Sequence, residues 1–281
     1  MKVLFVGTGL IGGSFSLAMQ KHGLLTEAGG YSRKEANLDR SVELGLISKK
    51  FTNLEEGIKW ADWVILSIPV DVIDQMLPGI LDMIREEQVI VDFGSTKGKI
   101  CESVKSHEAR ARFIAAHPIA GTEYSGPEAA FASLFEEKLM IICEDGQSNP
   151  AALMQFEKVC KTIGMKLEYM DAEAHDRHLA YISHLSHITS YSLSNAVLDK
   201  EKDGQVILEL AGSGFASTVR LAKSSPEMWA PIFMENKKMV LEALDAFLSN
   251  TTEFKRLLEA DDLNGMFQFL EKGRAIKRVI K

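Results

Sequence analysis

In the first half of the chain, short apolar runs alternate with amphipathic stretches. Runs at residues 3–6, 29–31, 63–68, 89–93, 113–116 and 140–143 predict strands, and residues 166–169 are one last candidate. Most of these runs are apolar throughout, as expected for strands that helices cover on both faces. The amphipathic stretches between them suit crossover helices, so the pattern predicts a doubly wound, mainly parallel α/β sheet.

The pattern changes after residue 170. Strand signals disappear, and helical periodicity extends over residues 172–198, 226–248 and 254–280. We therefore predict two domains, an α/β domain over residues 1–170 and an all-helical domain over residues 171–281.

A glycine-rich loop directly follows the first predicted strand. Residues 7–12 read Gly-Thr-Gly-Leu-Ile-Gly and lead into an apolar helix pattern. In this context the first glycine permits a tight turn, the second lets a pyrophosphate approach the backbone, and the third lets the helix pack on the strand. The helix N-terminus adds N–H donors and partial positive charge. The first domain is thus predicted to be a Rossmann-type domain whose Gly7, Gly9, Leu10, Ile11 and Gly12 bind NAD(P).

The residues after the second strand favour NADP over NAD. Where an acidic residue would hold both ribose hydroxyls, the chain has Ser32, Arg33 and Lys34. Two cations suit a 2′-phosphate, although they could also be a solvated surface pair, so NAD is not excluded. Later strand ends should complete the cofactor site. Ser67, Ile68 and Pro69 are expected beside the ribose and phosphates, and Ser95 beside the nicotinamide.

His117 follows the strand predicted at residues 113–116, which places its imidazole near the expected nicotinamide position. A histidine there can accept a hydroxyl proton while a hydride leaves the same carbon. A structural loop histidine is the alternative. A second histidine cluster lies on the long predicted helix, where His184 and His187 share a face. No nearby Asp, Glu or Cys completes a tetrahedral metal site, so we predict no metal and a substrate contact for His187.

Arg220 ends a glycine-rich turn that begins at Gly212. A fixed guanidinium is a natural bidentate clamp for a substrate carboxylate, although an isolated arginine is more often a surface cation.

Composition and charge narrow the class of protein. The formal charge of −7 argues against a nucleic-acid partner, because phosphate binding requires a basic face. The three cysteines form no paired framework, which suits a reducing compartment. The apolar start is interrupted by glycines and lacks a small-residue cleavage site, and no apolar stretch is long enough for a membrane span. We expect a cytoplasmic protein with no membrane partner.

Taken together, the motifs resemble those of the prephenate/arogenate dehydrogenases of tyrosine biosynthesis. The resemblance covers nearly the whole chain. It rests on the glycine loop, residues 95–97 (Ser-Thr-Lys), residues 117–121 (His-Pro-Ile-Ala-Gly), the histidine-rich helix, Gly214-Phe215, Arg220 and residues 226–229 (Pro-Glu-Met-Trp). It implies oxidative decarboxylation of prephenate to 4-hydroxyphenylpyruvate, or of arogenate to tyrosine, with hydride transfer to NAD(P)+. It also implies a homodimer formed through the helical domain.

The resemblance also implies roles for individual residues. His117 would take the ring hydroxyl proton, Ser95 would lie beside the nicotinamide and this histidine, and Arg220 would bind a substrate carboxylate. The remaining substrate-site residues would be Thr122, Glu123, His187 and Trp229, the last near the dimer-related wall.

One departure and two competing interpretations remain. Family members often carry a basic and then an acidic residue before the arginine, where this chain has Ala216 and Ser217, so contacts borrowed from those positions are in doubt. A 3-hydroxyisobutyrate or 6-phosphogluconate type of dehydrogenase would require a catalytic lysine motif in the helical region, and we find none. A cofactor-binding sensor without catalysis is disfavoured by the joint presence of Ser95, His117 and Arg220.

Overall fold

The computed structural model describes residues 1–202 and 208–279 and is built on one sheet. The strands are β1 (Lys2–Val6), β2 (Glu27–Tyr31), β3 (Lys49–Phe51), β4 (Trp63–Leu66), β5 (Val89–Asp92), β6 (Phe113–Ile119), β7 (Leu139–Cys143) and β8 (Lys166–Met170). Their order is β3-β2-β1-β4-β5-β6-β7-β8, and every neighbouring pair is parallel except β6 and β7. The strand order reverses between β1 and β4, and such a switch point opens a ligand crevice at the carboxyl edge of the sheet.

Helices cover both faces of this sheet. The α-helices of the described residues are α1 (Leu10–Lys21), α2 (Glu35–Glu43), α3 (Leu54–Trp60), α4 (Val70–Met83), α5 (Gly98–Ser103), α6 (Pro150–Ile163), α7 (Ala172–Leu179), α8 (Leu185–Lys202), α9 (Ser213–Thr218), α10 (Pro226–Glu235), α11 (Lys237–Glu259) and α12 (Leu263–Arg274). In β1, Val3 and Phe5 join one buried cluster with residues of α1 and α6, while Leu4 and Val6 join another with α3, α4 and α10. Burial on both faces explains the uninterrupted apolar runs.

The structure confirms the doubly wound, mainly parallel α/β sheet followed by helices, with local differences. Strand β3 was not predicted because it has only three residues, two of which are lysines. Short, lysine-bearing strands are common at the edge of a sheet. Strand β6 continues past residue 116 to Ile119, because His117 still pairs with Ile141 of β7. The helix predicted at residues 172–198 is interrupted by a π-helical turn, Ala180–His184.

The chain separates into two compact units, of which the first is Met1–Asn236 and the second begins at Lys237. The first holds the sheet and α1 to α10. In the second, α11 and α12 pack together, with the rings of Phe254 and Phe269 5.6 Å apart. Because these units divide the chain elsewhere than at residue 170, the two-domain boundary stays a prediction. The predicted helical region includes residues 203–207 and 280–281, which lie outside the described residues. In the described part of the chain, no helix has the length and hydropathy that crossing a membrane requires.

Candidate active site

The glycine loop between β1 and α1 is held against the end of β4. Gly7 has a φ of +92°, and a Cβ built on it would lie 2.5 Å from the backbone oxygen of Ser67. A Cβ on Gly12 would lie 2.3 Å from the Gly7 oxygen and from Ser67 Oγ. Ser67 Oγ donates a hydrogen bond of 2.7 Å to that same Gly7 oxygen. Both glycines are therefore required by close packing, and Ser67 fixes the loop at the switch point of the sheet.

The same loop leaves an open cradle at the start of α1. Gly9 is the N-cap of α1 and supplies no side-chain cap, and a Cβ built on it would meet no atom within 4 Å. The first N–H groups of the helix, which include those of Leu10 and Ile11, thus point toward accessible space with their partial positive charge. This geometry fits the pyrophosphate of a dinucleotide.

The end of β2 lies next to this cradle. The Gly7 N–H donates to the Tyr31 carbonyl at 3.1 Å, and the chain then passes through Ser32, whose Oγ accepts the Lys34 N–H at 3.2 Å. Arg33 and Lys34 are exposed. The two cations predicted to meet a 2′-phosphate are thus available to a ligand beside the loop. On the other side of the cradle, Ile68 packs against the loop, and Pro69 is exposed at the N-cap of α4.

His117 lies at the same edge of the sheet, where only 9% of its surface is exposed. Its strand β6 neighbours β5, with Asp92 paired in register with Ala115. Ser95 follows β5 and is half-buried in the loop that leads to α5. The sheet therefore brings the carboxyl ends of two neighbouring strands, and the Ser95 loop with them, to one place.

A buried ion pair lies under that loop. The Lys97 ammonium contacts Asp92 Oδ2, and both side chains are fully buried. Asp92 also accepts the N–H groups of Gly94 at 3.1 Å and Ala116 at 3.3 Å. Burial raises the pKa of Asp92, while Lys97 and these N–H groups act in the opposite direction. The ion pair joins the Ser95 loop to β6 one residue before His117.

His117 itself is hydrogen-bonded to the helical region. Its Nδ1 lies 2.8 Å from Nε2 of His175, whose Nδ1 lies 2.8 Å from Oδ1 of Asp176. Burial lowers the pKa of His117 well below its usual value, and the electrostatic interactions with His175, Lys97 and His184 act in the same direction. Burial also lowers the pKa of His175, against the opposing effect of Asp176. His117 is therefore a neutral imidazole at neutral pH, the form that a general base requires.

The π-helical turn decides which histidines face this site. At about 100° per residue, a uniform α-helix would place His175 and His184 on opposite sides. A π turn winds more slowly because its hydrogen bonds run from i to i+5. In the structure Nδ2 of Asn236 lies 3.2 Å from Nδ1 of His184 and donates at 2.7 Å to the Asp176 carbonyl. His178, in contrast, is exposed beside Leu179.

His187 and Trp229 form an aromatic wall. Their rings stack with centroids 3.4 Å apart and an interplanar angle of 25°. Nδ1 of His187 donates to the Ser183 carbonyl at 3.0 Å, which leaves Nε2 as the free ring nitrogen. Burial lowers the pKa of His187, and Arg220 acts in the same direction. No cluster of three or more His, Cys, Asp or Glu side chains within residues 1–202 and 208–279 is arranged to hold a metal ion.

The predicted carboxylate clamp lies further out. The Arg220 side chain is 55% exposed, and its Nη1 is 3.8 Å from Oε2 of Glu123. Thr122 accepts the Tyr124 N–H at 3.2 Å. The fold thus brings the 122–124 loop and Arg220 together, with the cation available to an anionic ligand.

Sequence reasoning missed His175 and Asp176 as site residues and the buried pair of Asp92 and Lys97. The adjacent residues His175 and Asp176 carry no local pattern that marks them as part of a site. The contacts that place these four residues in the site connect positions far apart in sequence.

Comparison with known proteins identifies the same family that the sequence motifs resemble. Two family models match the chain: "Prephenate dehydrogenase, nucleotide-binding domain" over residues 15–169 and "Prephenate dehydrogenase, dimerization domain" over residues 171–272. A cyclohexadienyl dehydrogenase of Zymomonas mobilis is 26% identical over 99% of this chain and 96% of its own length. A prephenate dehydrogenase of Bacillus subtilis is 29% identical over 97% of this chain and 74% of its own length.

A solved structure agrees over the full length. The prephenate dehydrogenase of A. aeolicus, in complex with hydroxyphenyl propionate and NAD+, superposes with a TM-score of 0.92 at 29% identity, covering 100% of this chain and 98% of the other.

Proposed function

Because the chain belongs to the prephenate dehydrogenase family, we propose that it oxidatively decarboxylates prephenate to 4-hydroxyphenylpyruvate with NAD(P)+ as the hydride acceptor. The observation that carries the proposal is the buried, neutral His117 at the carboxyl edge of the sheet, beside the loop of Ser95 and on the side where the glycine loop opens its cradle. One base and one dinucleotide site suffice for this reaction. Loss of carbon dioxide and hydride makes the ring aromatic, which leaves the protein to orient the substrate and accept one proton.

The protein residues divide this work between them. A bound nicotinamide supplies the hydride acceptor at the ring carbon that bears the hydroxyl group. His117 hydrogen-bonds that hydroxyl and takes its proton as the C–O bond becomes a carbonyl, and the ring carboxylate leaves as carbon dioxide. Ser95 contributes a second hydrogen bond to the hydroxyl. The electron pair of the broken C–C bond passes through the ring to that carbonyl oxygen, which takes up a proton, so the product is the phenol.

The anionic side chain of the substrate requires a cation. Arg220 is exposed to ligand and has the planar donor geometry that suits a carboxylate. Glu123 and Thr122 line the same side, and the stack of His187 on Trp229 supports an apolar wall for the ring.

We also propose a homodimer. The matching family model for residues 171–272 is described as a dimerization domain. Within the first unit, an apolar groove of about 510 Å³ is lined by residues that include Leu139, Ile141 and Ile182. Ile182 is 72% exposed. A second copy of the chain would bury this surface.

A two-by-two assay tests the function. We expect the purified protein to reduce NAD(P)+ when prephenate is added, measured by the absorbance of the reduced cofactor, with 4-hydroxyphenylpyruvate as product. Turnover of arogenate to tyrosine without turnover of prephenate would favour the alternative substrate. Tight nucleotide binding without turnover of either compound would overturn the proposal and favour a sensor.

We expect the cofactor preference to depend on Arg33 and Lys34. Replacing both with serine should raise KM for NADP+ by about 10–100-fold, because the two exposed side chains together should contribute roughly 1.5–3 kcal/mol, the range of a charge-assisted hydrogen bond to the 2′-phosphate. KM for NAD+ should change by less than about threefold, since NAD+ has no such phosphate.

The control removes the same charge elsewhere. Lys255 and Arg256 are exposed on α11 and pair with Glu259 and Glu253. Their double replacement by serine should leave both KM values unchanged. An equal rise in KM for NAD+ and NADP+ in the Arg33→Ser/Lys34→Ser variant would contradict a role in reading the 2′-phosphate.

A further inference from the structure

A chain of two hydrogen bonds runs from Asp176 through His175 to His117. Asp176 and His175 belong to α7, whereas His117 belongs to β6, so the chain connects the helical region to the sheet. Its two distances, 2.8 Å each, are those of strong hydrogen bonds. All three side chains are buried, His175 completely. In such surroundings each donor requires an acceptor and the direction of each bond is fixed.

The carboxylate sets the direction of the whole chain. Both Asp176 oxygens already accept backbone N–H groups, Oδ1 from Lys97 and Oδ2 from Gly98, each at 2.8 Å. An ionised carboxylate can only accept, so Nδ1 of His175 carries the proton of their shared bond. Neutral His175 then presents a lone pair at Nε2, and His117 must donate to it from Nδ1. The other nitrogen of His117, Nε2, is left with a lone pair.

We propose that His175 and Asp176 are positioning residues that lock His117 in the tautomer with its proton on Nδ1, so that Nε2 is the base that takes the substrate hydroxyl proton. The proposal rests on the proposed function for the identity of the proton donor, but the tautomer itself does not depend on it. In the opposite tautomer His117 would present an N–H to the substrate hydroxyl and could not accept its proton.

Asp176 also fixes where the base stands relative to Ser95. The two N–H groups that it binds, at residues 97 and 98, end the loop that carries Ser95. Its own backbone carbonyl is held by Asn236 at 2.7 Å. One carboxylate therefore ties the Ser95 loop and the ring of His117 to the same point of α7. This arrangement keeps two groups that contact the substrate hydroxyl at a constant separation.

The wild-type protein allows a direct test without turnover. In protein labelled with ¹⁵N-histidine, the two-bond and three-bond proton–nitrogen correlations distinguish the nitrogen that carries the proton from the one that does not. At neutral pH we expect the His117 ring, assigned by its absence in His117→Asn, to carry its proton on Nδ1. A proton on Nε2 overturns the proposal. Because this measurement needs no substrate, it separates the tautomer from the proposed function, which fails only if wild-type protein does not turn prephenate over.

Two variants test the consequence for catalysis. His175→Phe removes the acceptor and should lower kcat by about 10²–10³-fold, the range of a mispositioned or wrongly protonated base, with KM changed less than about threefold. His175→Gln can place its amide oxygen near the position of Nε2 and should keep kcat within about tenfold of wild type. In the labelled Phe variant, His117 should lose its single tautomer.

The outcomes distinguish a positioning role of His175 from a role in packing alone. A Phe variant with wild-type kcat, or a Gln variant that loses as much activity as the Phe variant while remaining folded, overturns the proposal. If the Phe variant does not fold, the wild-type tautomer and the activity of His175→Gln decide the question.

Discussion

Replacing His117 with asparagine is expected to lower kcat for prephenate oxidation by about 10³-fold, within the range found when a general base is removed. Asparagine can still donate to His175 but cannot take a proton, so the hydroxyl must lose its proton to water. KM for the cofactor should change little, because the glycine loop and the residues after β2 are untouched. The matched control is His22→Asn, which makes the same change at an exposed position at the C-terminal end of α1.

The pH dependence of kcat/KM, compared between wild type and His117→Asn, gives a second test of His117 as the base. Catalysis needs neutral His117, and burial together with Lys97, His175 and His184 lowers its pKa well below 6.5. In wild-type protein kcat/KM should therefore stay constant as pH falls through 6.5, and decrease only at lower pH as the imidazole gains a proton. The asparagine variant should lack this decrease. A decrease that persists in His117→Asn, or that begins above pH 6.5 in wild type, would assign the base to another group.

The largest effect on stability is expected from Lys97→Met. Removing one partner of a buried ion pair leaves the other charge uncompensated, which costs about 3–5 kcal/mol of the free energy of unfolding. Here the remaining charge would be Asp92, which is fully buried and keeps only the N–H groups of Gly94 and Ala116. Urea titration at a fixed protein concentration measures the loss, since dimerisation would make stability depend on concentration.

Two further variants serve as controls for Lys97→Met. Asp92→Asn/Lys97→Met removes both charges and keeps an acceptor for the Ala116 N–H, so it should recover about 2 kcal/mol relative to Lys97→Met alone. Lys59→Met breaks an exposed pair with Glu55 and should lower the free energy of unfolding far less than Lys97→Met does. If Lys97→Met were no more destabilising than Lys59→Met, the pair would not be the buried interaction that joins the Ser95 loop to β6.

Some features of the site follow from local sequence rules. The unbroken apolar runs require a sheet covered on both faces, and GxGxxG after a strand requires a tight turn with an open helix N-terminus. Gly7 and Gly12 then turn out to be sterically necessary, and Gly9 is open as expected. The position of His117 at the end of its strand run placed it near the same edge. Because these features depend on residues only a few positions apart, they can be predicted from the sequence pattern.

Other features depend on contacts between distant segments. The periodicity of residues 172–198 predicted one helix, yet the π turn from Ala180 to His184 rotates the histidines relative to one another. No local pattern marks this turn, because its orientation is fixed by what it packs against, including Asn236, 52 positions after His184.

The glycine loop, the buried strands of a mainly parallel sheet and the chemistry of single residues such as Arg220 were therefore determined by the sequence itself. Only the tertiary structure decided that Asp176, distant in sequence, holds both the Ser95 loop and, through His175, the ring of His117. The physical reason is that a hydrogen-bond direction is set by the burial and the partners of each group. Those partners meet only when the sheet and the helices that follow it have packed together.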